Sequence, residues 1–211
     1  MNDALRSLNL TIWKTAGSRY NAARRLTLRD TFSTASQALF AVITIGLTIV
    51  QKVYFISDSP ADKFGTVLGV FLGAFLLAVS LLEAGRGNAL RADELHRNAE
   101  DLTALTRGID IRLAAHLTGN LLGQGEVERF AIEYEQIKSR CTTNHSPRDY
   151  RLFLGEKRSA KELAIDGKPP MSTAAYLRVI FAWYVSTVWY FIVLWLVIGS
   201  LCVENWLLFR G

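Results

Sequence analysis

Cysteine is scarce in this chain, proline is thinner than in an average protein, and ionisable residues vanish altogether from three long stretches. There are two cysteines and four prolines in 211 residues. Cys141 and Cys202 stand far apart, so no disulfide framework is expected, which suits polar mass facing a reducing compartment. Residues 31–51, 64–82 and 179–203 hold no Asp, Glu, Lys, Arg or His. About 20 apolar residues cross a hydrocarbon core of ~30 Å, so three such stretches exclude a purely soluble protein. Catalytic motifs are missing too: there is no phosphate loop, no HExxH and no zinc-type cysteine pair. Cys141, His145 and Asp149 are spaced four and four, but Ser146-Pro147 interrupts the helix that would align them. No metal, cofactor or enzymatic activity is expected. His96 and Glu100, four apart, read as an exposed helical pair.

The charges that remain report topology. Residues 1–31 carry six basic and two acidic side chains, and the link at 52–63 is neutral. The positive-inside rule places the N-terminus in the cytoplasm and that link outside. Residues 83–178 return inside with 15 basic and 14 acidic residues. Five basic residues shortly precede the third stretch and only Arg210 follows it, which predicts a periplasmic C-terminus. The formal charge of +5 is therefore mostly a topology signal. No basic stripe interleaved with aromatics appears, and no direct nucleic-acid binding is expected.

The first helical stripe is Leu5, Leu8, Ile12, Ala16, Tyr20, Ala23 and Leu26, in steps of three and four. Its opposite face is basic. The stripe can lie on the anionic inner leaflet or pack on the cytosolic region. In the first span Ser33, Gln37, Thr44, Thr48 and Gln51 share one arc of a helix. Such a row either lines water or hydrogen-bonds a neighbouring helix, and both readings stand. The second span opens on Gly65, Gly69 and Gly73, a doubled GxxxG that lets another backbone approach closely. Two or three amphipathic helices follow, through Leu90, Leu95, Ala99, Leu102, Leu105 and Ile109, then Val127, Phe130, Tyr134 and Ile137. Trp183, Tyr184, Trp189, Tyr190 and Trp195 make the third stretch a stiff helix expected to face lipid or another subunit.

The predicted architecture is an all-α membrane protein: a transmembrane helical hairpin, a cytosolic helical bundle and a C-terminal third transmembrane helix. The segments are a basic cytosolic helix (1–31), the hairpin (32–82), the cytosolic helical region (83–170) and the last span (171–211). Asn144 is expected to bond its local backbone, and Asp149 to cap a helix starting near Pro147.

Two stretches together resemble a known family. Tyr20-Asn-Ala-Ala-Arg24-Arg25-Leu26 runs into a span, and Tyr134-Glu-Gln-Ile137 precedes Asn144-His145-Ser-Pro-Arg-Asp149-Tyr150. This pattern is similar to the SLATT family, two-transmembrane effectors associated with SMODS nucleotidyltransferases and SLOG sensors in bacterial defence. The resemblance covers roughly residues 10–155, so the third hydrophobic stretch lies outside it. It implies a membrane effector that oligomerises among lipids and permeabilises or depolarises the inner membrane in abortive infection. Its implied triggers are a nucleotide second messenger, a sensor protein or a reverse-transcriptase partner. It gives Asn144, His145, Asp149 and Tyr150 as a cytosolic signature without a catalytic role. The competing reading is a membrane-anchored adaptor whose cytosolic helices bind a partner without pore activity.

Overall fold

A computed structural model of the chain describes residues 2–54, 56–117, 123 and 125–208. It is all-α: α1 (Asn2–Tyr54), α2 (Pro60–Arg86), α3 (Asn88–Leu117), α4 (Glu126–Ser139), α5 (Pro147–Glu156), a 3-10 turn at Lys161–Leu163, and α6 (Thr173–Leu208). Among the described residues no strand forms. Three helical segments, within Asp3–Tyr54, Asp62–His116 and Thr173–Ser200, are long and apolar enough to cross a membrane. The break expected at Gly123-Gln124-Gly125 falls between α3 and α4, with Gln124 outside the described residues.

The chain divides into two compact units. The first comprises Met1–Thr27 and Ala89–Thr187, the second Leu28–Asn88 and Val188–Gly211. α1 and α6 each contribute to both.

In the first unit the N-terminal stripe packs inward. Leu5, Ile12 and Ala16 are buried with Leu102, Leu105 and Ile109 of α3 and Phe130 and Ile137 of α4. Further along, Ala22, Ala23 and Leu26 are buried with Ala92, Leu95 and Cys141. Of the two fates open to the stripe, the one seen is packing on the helical region that follows the hairpin. Each large side chain removed from water here contributes roughly 1.5–3 kcal/mol. α5 docks through Phe153, whose ring lies where a Cβ on Gly17 would stand; Trp13 meets the same ring edge-on, with centroids 5.1 Å apart. Leu90 is an exception to its stripe and is exposed.

The second unit is inverted in polarity. Val42, Ile45, Val67, Val70, Phe71 and Leu81 are all exposed. An apolar exterior on this scale is what lipid, not water, tolerates. Inside, Phe40 is buried with Leu194 and Ile198, and its ring lies 4.4 Å from that of Trp195. Polar groups join the helices. Gln37 donates to Ser33 Oγ at 2.8 Å and accepts from Ser80 Oγ of α2 at 2.9 Å. Trp195 donates to Ser36 Oγ at 3.1 Å. At the far end of the hairpin Gln51 Nε2 donates to Asp62 O, Asp62 Oδ1 and Thr66 Oγ1, and Lys52 pairs with Asp62 at 2.9 Å.

The glycine row meets α1 unevenly. A Cβ on Gly65 would come within 2.7 Å of Gln51 Cδ, one on Gly69 within 3.4 Å of Thr48 Oγ1, and one on Gly73 would meet nothing. Gln51 cannot swing away without losing its three hydrogen bonds. Gly65→Ala should therefore destabilise the hairpin by about 1–3 kcal/mol, while Gly73→Ala should be neutral or better in the isolated chain. Thermal unfolding of both variants in detergent checks this; equal midpoints would remove Gly65 as a packing requirement.

Candidate functional site

The site grows from a helix start. Ser146 precedes Pro147 at the first helical position of α5, where proline lacks only an N–H that would have had no partner. Ser146 and Asp149 form a reciprocal capping box: the Asp149 carboxylate accepts from Ser146 N at 2.8 Å and Ser146 Oγ at 2.7 Å. An ordinary capping carboxylate would be solvated. Asp149 is instead fully buried, at 0% exposure.

Its charge is met from two other helices. Arg25 of α1 grips it as a fork, with Nε to Oδ1 at 3.0 Å and Nη2 to Oδ2 at 3.1 Å. Trp183 of α6, itself 1% exposed, donates its indole N–H to Oδ1 at 3.0 Å. The carboxylate thus accepts five hydrogen bonds, enough to fill its lone-pair directions. Burial by itself would raise the Asp149 pKa, but the Arg25 fork and the Ser146 donors outweigh it and hold the group below its ordinary 3.8. Further contacts brace this arrangement. Asn21 Nδ2 donates to the Asp149 carbonyl at 3.3 Å and Glu156 Oε2 at 3.0 Å. Arg24 pairs with Glu156 at 2.8 Å and lies over the Trp183 ring at 5.2 Å.

The other signature residues lie in the same unit. Leu26 is in the adjoining buried cluster, and Tyr134 Oη shares a hydrogen bond with Thr15 Oγ1 at 3.1 Å. Asn144 Oδ1 accepts from His145 N at 2.9 Å, the local bond expected of it, though α4 has already ended at Ser139. His145 is half-buried; burial, then the Arg19 charge, lower its pKa, opposed by Asp149. Tyr150 is partly buried beside the hub residue. Glu94 organises the loop before α5, accepting from Thr142 N at 2.8 Å and from both Thr142 and Thr143 hydroxyls at 3.1 Å. Arg19, 3% exposed, donates to Asn98 Oδ1 and to the Lys138 carbonyl.

The polar row of the first span is divided between roles. Ser33 and Gln37 take part in the α1–α2 hydrogen bonds described above. Thr44 and Thr48 bond back to the carbonyls of Phe40 and Thr44 at 2.9 Å each. Among the described residues no group of three or more His, Cys, Asp and Glu could hold a metal ion.

Comparison with protein families adds one decisive observation: residues 1–208 match the family described as SMODS and SLOG-associating 2TM effector domain family 5. The chain belongs to this SLATT family. The match reaches well past residue 155 and takes in α6, so the third hydrophobic helix is part of the SLATT domain and not an addition to it. No curated protein and no solved structure matches the chain. As a SLATT domain the protein is a membrane-embedded effector domain.

Sequence reasoning missed Trp183, Asn21 and Glu156 in this site. Trp183 looked like one more aromatic of a span, yet α6 belongs to the first unit as far as Thr187. An available signal was Arg24-Arg25 close before an apolar run: two adjacent cations there call for a carboxylate from elsewhere in the chain.

Breaking a buried ion pair by removing one partner costs about 3–5 kcal/mol. Arg25→Ala should lower stability by that order. Asp149→Asn should remove an acid-dependent limb: with its pKa depressed on folding, Asp149 contributes stability that is present above about 3.8 and disappears as pH falls through the lower folded value. Unfolding followed by circular dichroism from pH 6 to about 3 checks this. A wild type and an Asp149→Asn variant with the same acid dependence would contradict it.

Proposed function

We propose that this SLATT domain permeabilises or depolarises the bacterial inner membrane as an oligomer in antiviral, abortive-infection defence, under control of a cytosolic signal. The observation carrying this reading is that α1 and α6, which meet at Asp149, both contain segments long and apolar enough to cross a membrane. A change at the hub therefore acts on two spanning helices at once. The N-terminus and residues 83–178 lie in the cytoplasm, where their basic flanks favour them, and the C-terminus is periplasmic. The family description names SMODS and SLOG as associates, which supports a partner protein as the source of the signal; the candidates are a sensor, a nucleotide second messenger or a reverse-transcriptase partner. In the assembled state Thr44 and Thr48 line the water path, with Ser33 and Gln37 at its cytoplasmic end, and Gly73 faces a second subunit.

Induced expression with a potential-sensitive dye tests the reading. Cells should depolarise, and Thr44→Val with Thr48→Val should weaken depolarisation severalfold without reducing membrane insertion, since valine is as acceptable to lipid as threonine. Full insertion with an undisturbed potential under activating conditions would favour a membrane-anchored adaptor.

A further inference from the structure

A cavity of about 360 Å³ opens beside the hub, lined by Arg25, Ser146, Pro147, Arg148, Arg151 and Ser186. Its volume lies within the range of roughly 300–1,000 Å³ found for small-molecule sites. Three arginines line it and no acidic residue does. Asp149, bonded by both Arg25 and Ser146 of this lining, is fully buried and already accepts five hydrogen bonds. Arg148 and Arg151 are exposed, and neither is in an ion pair among the described residues.

Their placement is unusual for a helix considered alone. Both sit in the first turns of α5, whose N-terminus already carries a partial positive charge that disfavours cations. Helix dipole, Arg148, Arg151 and Arg25 all direct positive potential into one recess. Arginine's planar fork suits phosphate oxygens and is the preferred partner for them. Arg25 can take part without abandoning Asp149. It has five N–H donors, and the fork to the carboxylate uses one on Nε and one on Nη2, leaving three. Ser186, whose hydroxyl donates to the Trp183 carbonyl at 2.9 Å, completes the lining from α6.

We propose that this pocket binds a phosphate group, carried either by an anionic phospholipid headgroup or by a soluble phosphorylated molecule, and that the bound phosphate holds the Asp149 hub closed. Ligand that binds only the assembled arrangement stabilises it by mass action. The binding claim stands on the pocket alone. Only its regulatory meaning, a resting effector kept quiet by its ligand, rests on the function proposed above.

The full chain in nanodiscs provides the test. Phosphatidylcholine discs with added inorganic phosphate or pyrophosphate probe the soluble source, and discs containing phosphatidylglycerol probe the headgroup source. Thermal unfolding midpoint and retained lipid by native mass spectrometry are the readouts. At least one source should raise the midpoint. Arg148→Gln with Arg151→Gln should weaken that binding about tenfold or more, with helicity unchanged. Arg97→Gln with Arg107→Gln, an equal loss of charge on α3, should leave it intact. No stabilisation by either source, or equal losses in the two double variants, would overturn the pocket. If the proposed function also holds, the Arg148/Arg151 variant should depolarise cells at lower expression than wild type. A protein that binds phosphate specifically but never depolarises cells would keep the pocket and discard the effector reading.

Discussion

The buried carboxylate of Asp149 is the constraint on which the first unit depends. Removing a carboxylate from water costs several kcal/mol even after relaxation, so everything placed around it must recover that cost. The recovery is distributed over three helices: a guanidinium fork from α1, backbone and hydroxyl donors from α5, and an indole N–H from α6. Because no single helix suffices, the charge is tolerated only when all three are together. Well-packed hydrophobic residues in place of the ion pair could hold the helices as strongly, but they would make no directional demand on Arg25, Ser146 and Trp183. The ionic hub requires one arrangement.

The second unit obeys a different balance. Its outside is apolar, so the hydrophobic effect gives its helices no reason to associate within lipid, and packing with hydrogen bonds must do so. The Ser33–Gln37–Ser80 chain and the Trp195–Ser36 bond meet that need in the described residues. The cluster around Gln51 closes the hairpin at its other end. Thr44 and Thr48 differ from these residues. Their hydroxyls are satisfied by their own helix, which leaves them indifferent to whether the next neighbour is a helix, lipid or water.

Helix class, the three helices long and apolar enough to cross a membrane and the inward stripe of α1 could be read from periodicity and from where charge stops, because both record burial directly. The capping role of Asp149 was legible from Ser-Pro-x-Asp. Its burial was not, because a capping aspartate is usually at the surface and the sequence carries no sign of which arginine reaches it. Long-range pairs such as Asn21 with Glu156 leave no local pattern. Nor does the notch at Gly17, which is one small residue in a stripe of alanines and serines until Phe153 is seen against it. The absence of charge also misled at one point. It marked residues 179–203 as a single object, whereas the first nine belong with the polar unit and contribute its most buried indole.

That last feature bears on how far the domain can be taken apart. A natural way to obtain a water-soluble fragment of such a protein is to cut before its final hydrophobic helix. Here the cut would remove Trp183 and leave an oxygen of Asp149 without its indole donor, while exposing the rings and aliphatic chains that α6 covers. Recombination between relatives faces the same obstacle: exchanging the last helix alone separates a buried acid from one of its donors. Trp183 thus makes the start of the last hydrophobic helix a structural part of the polar unit.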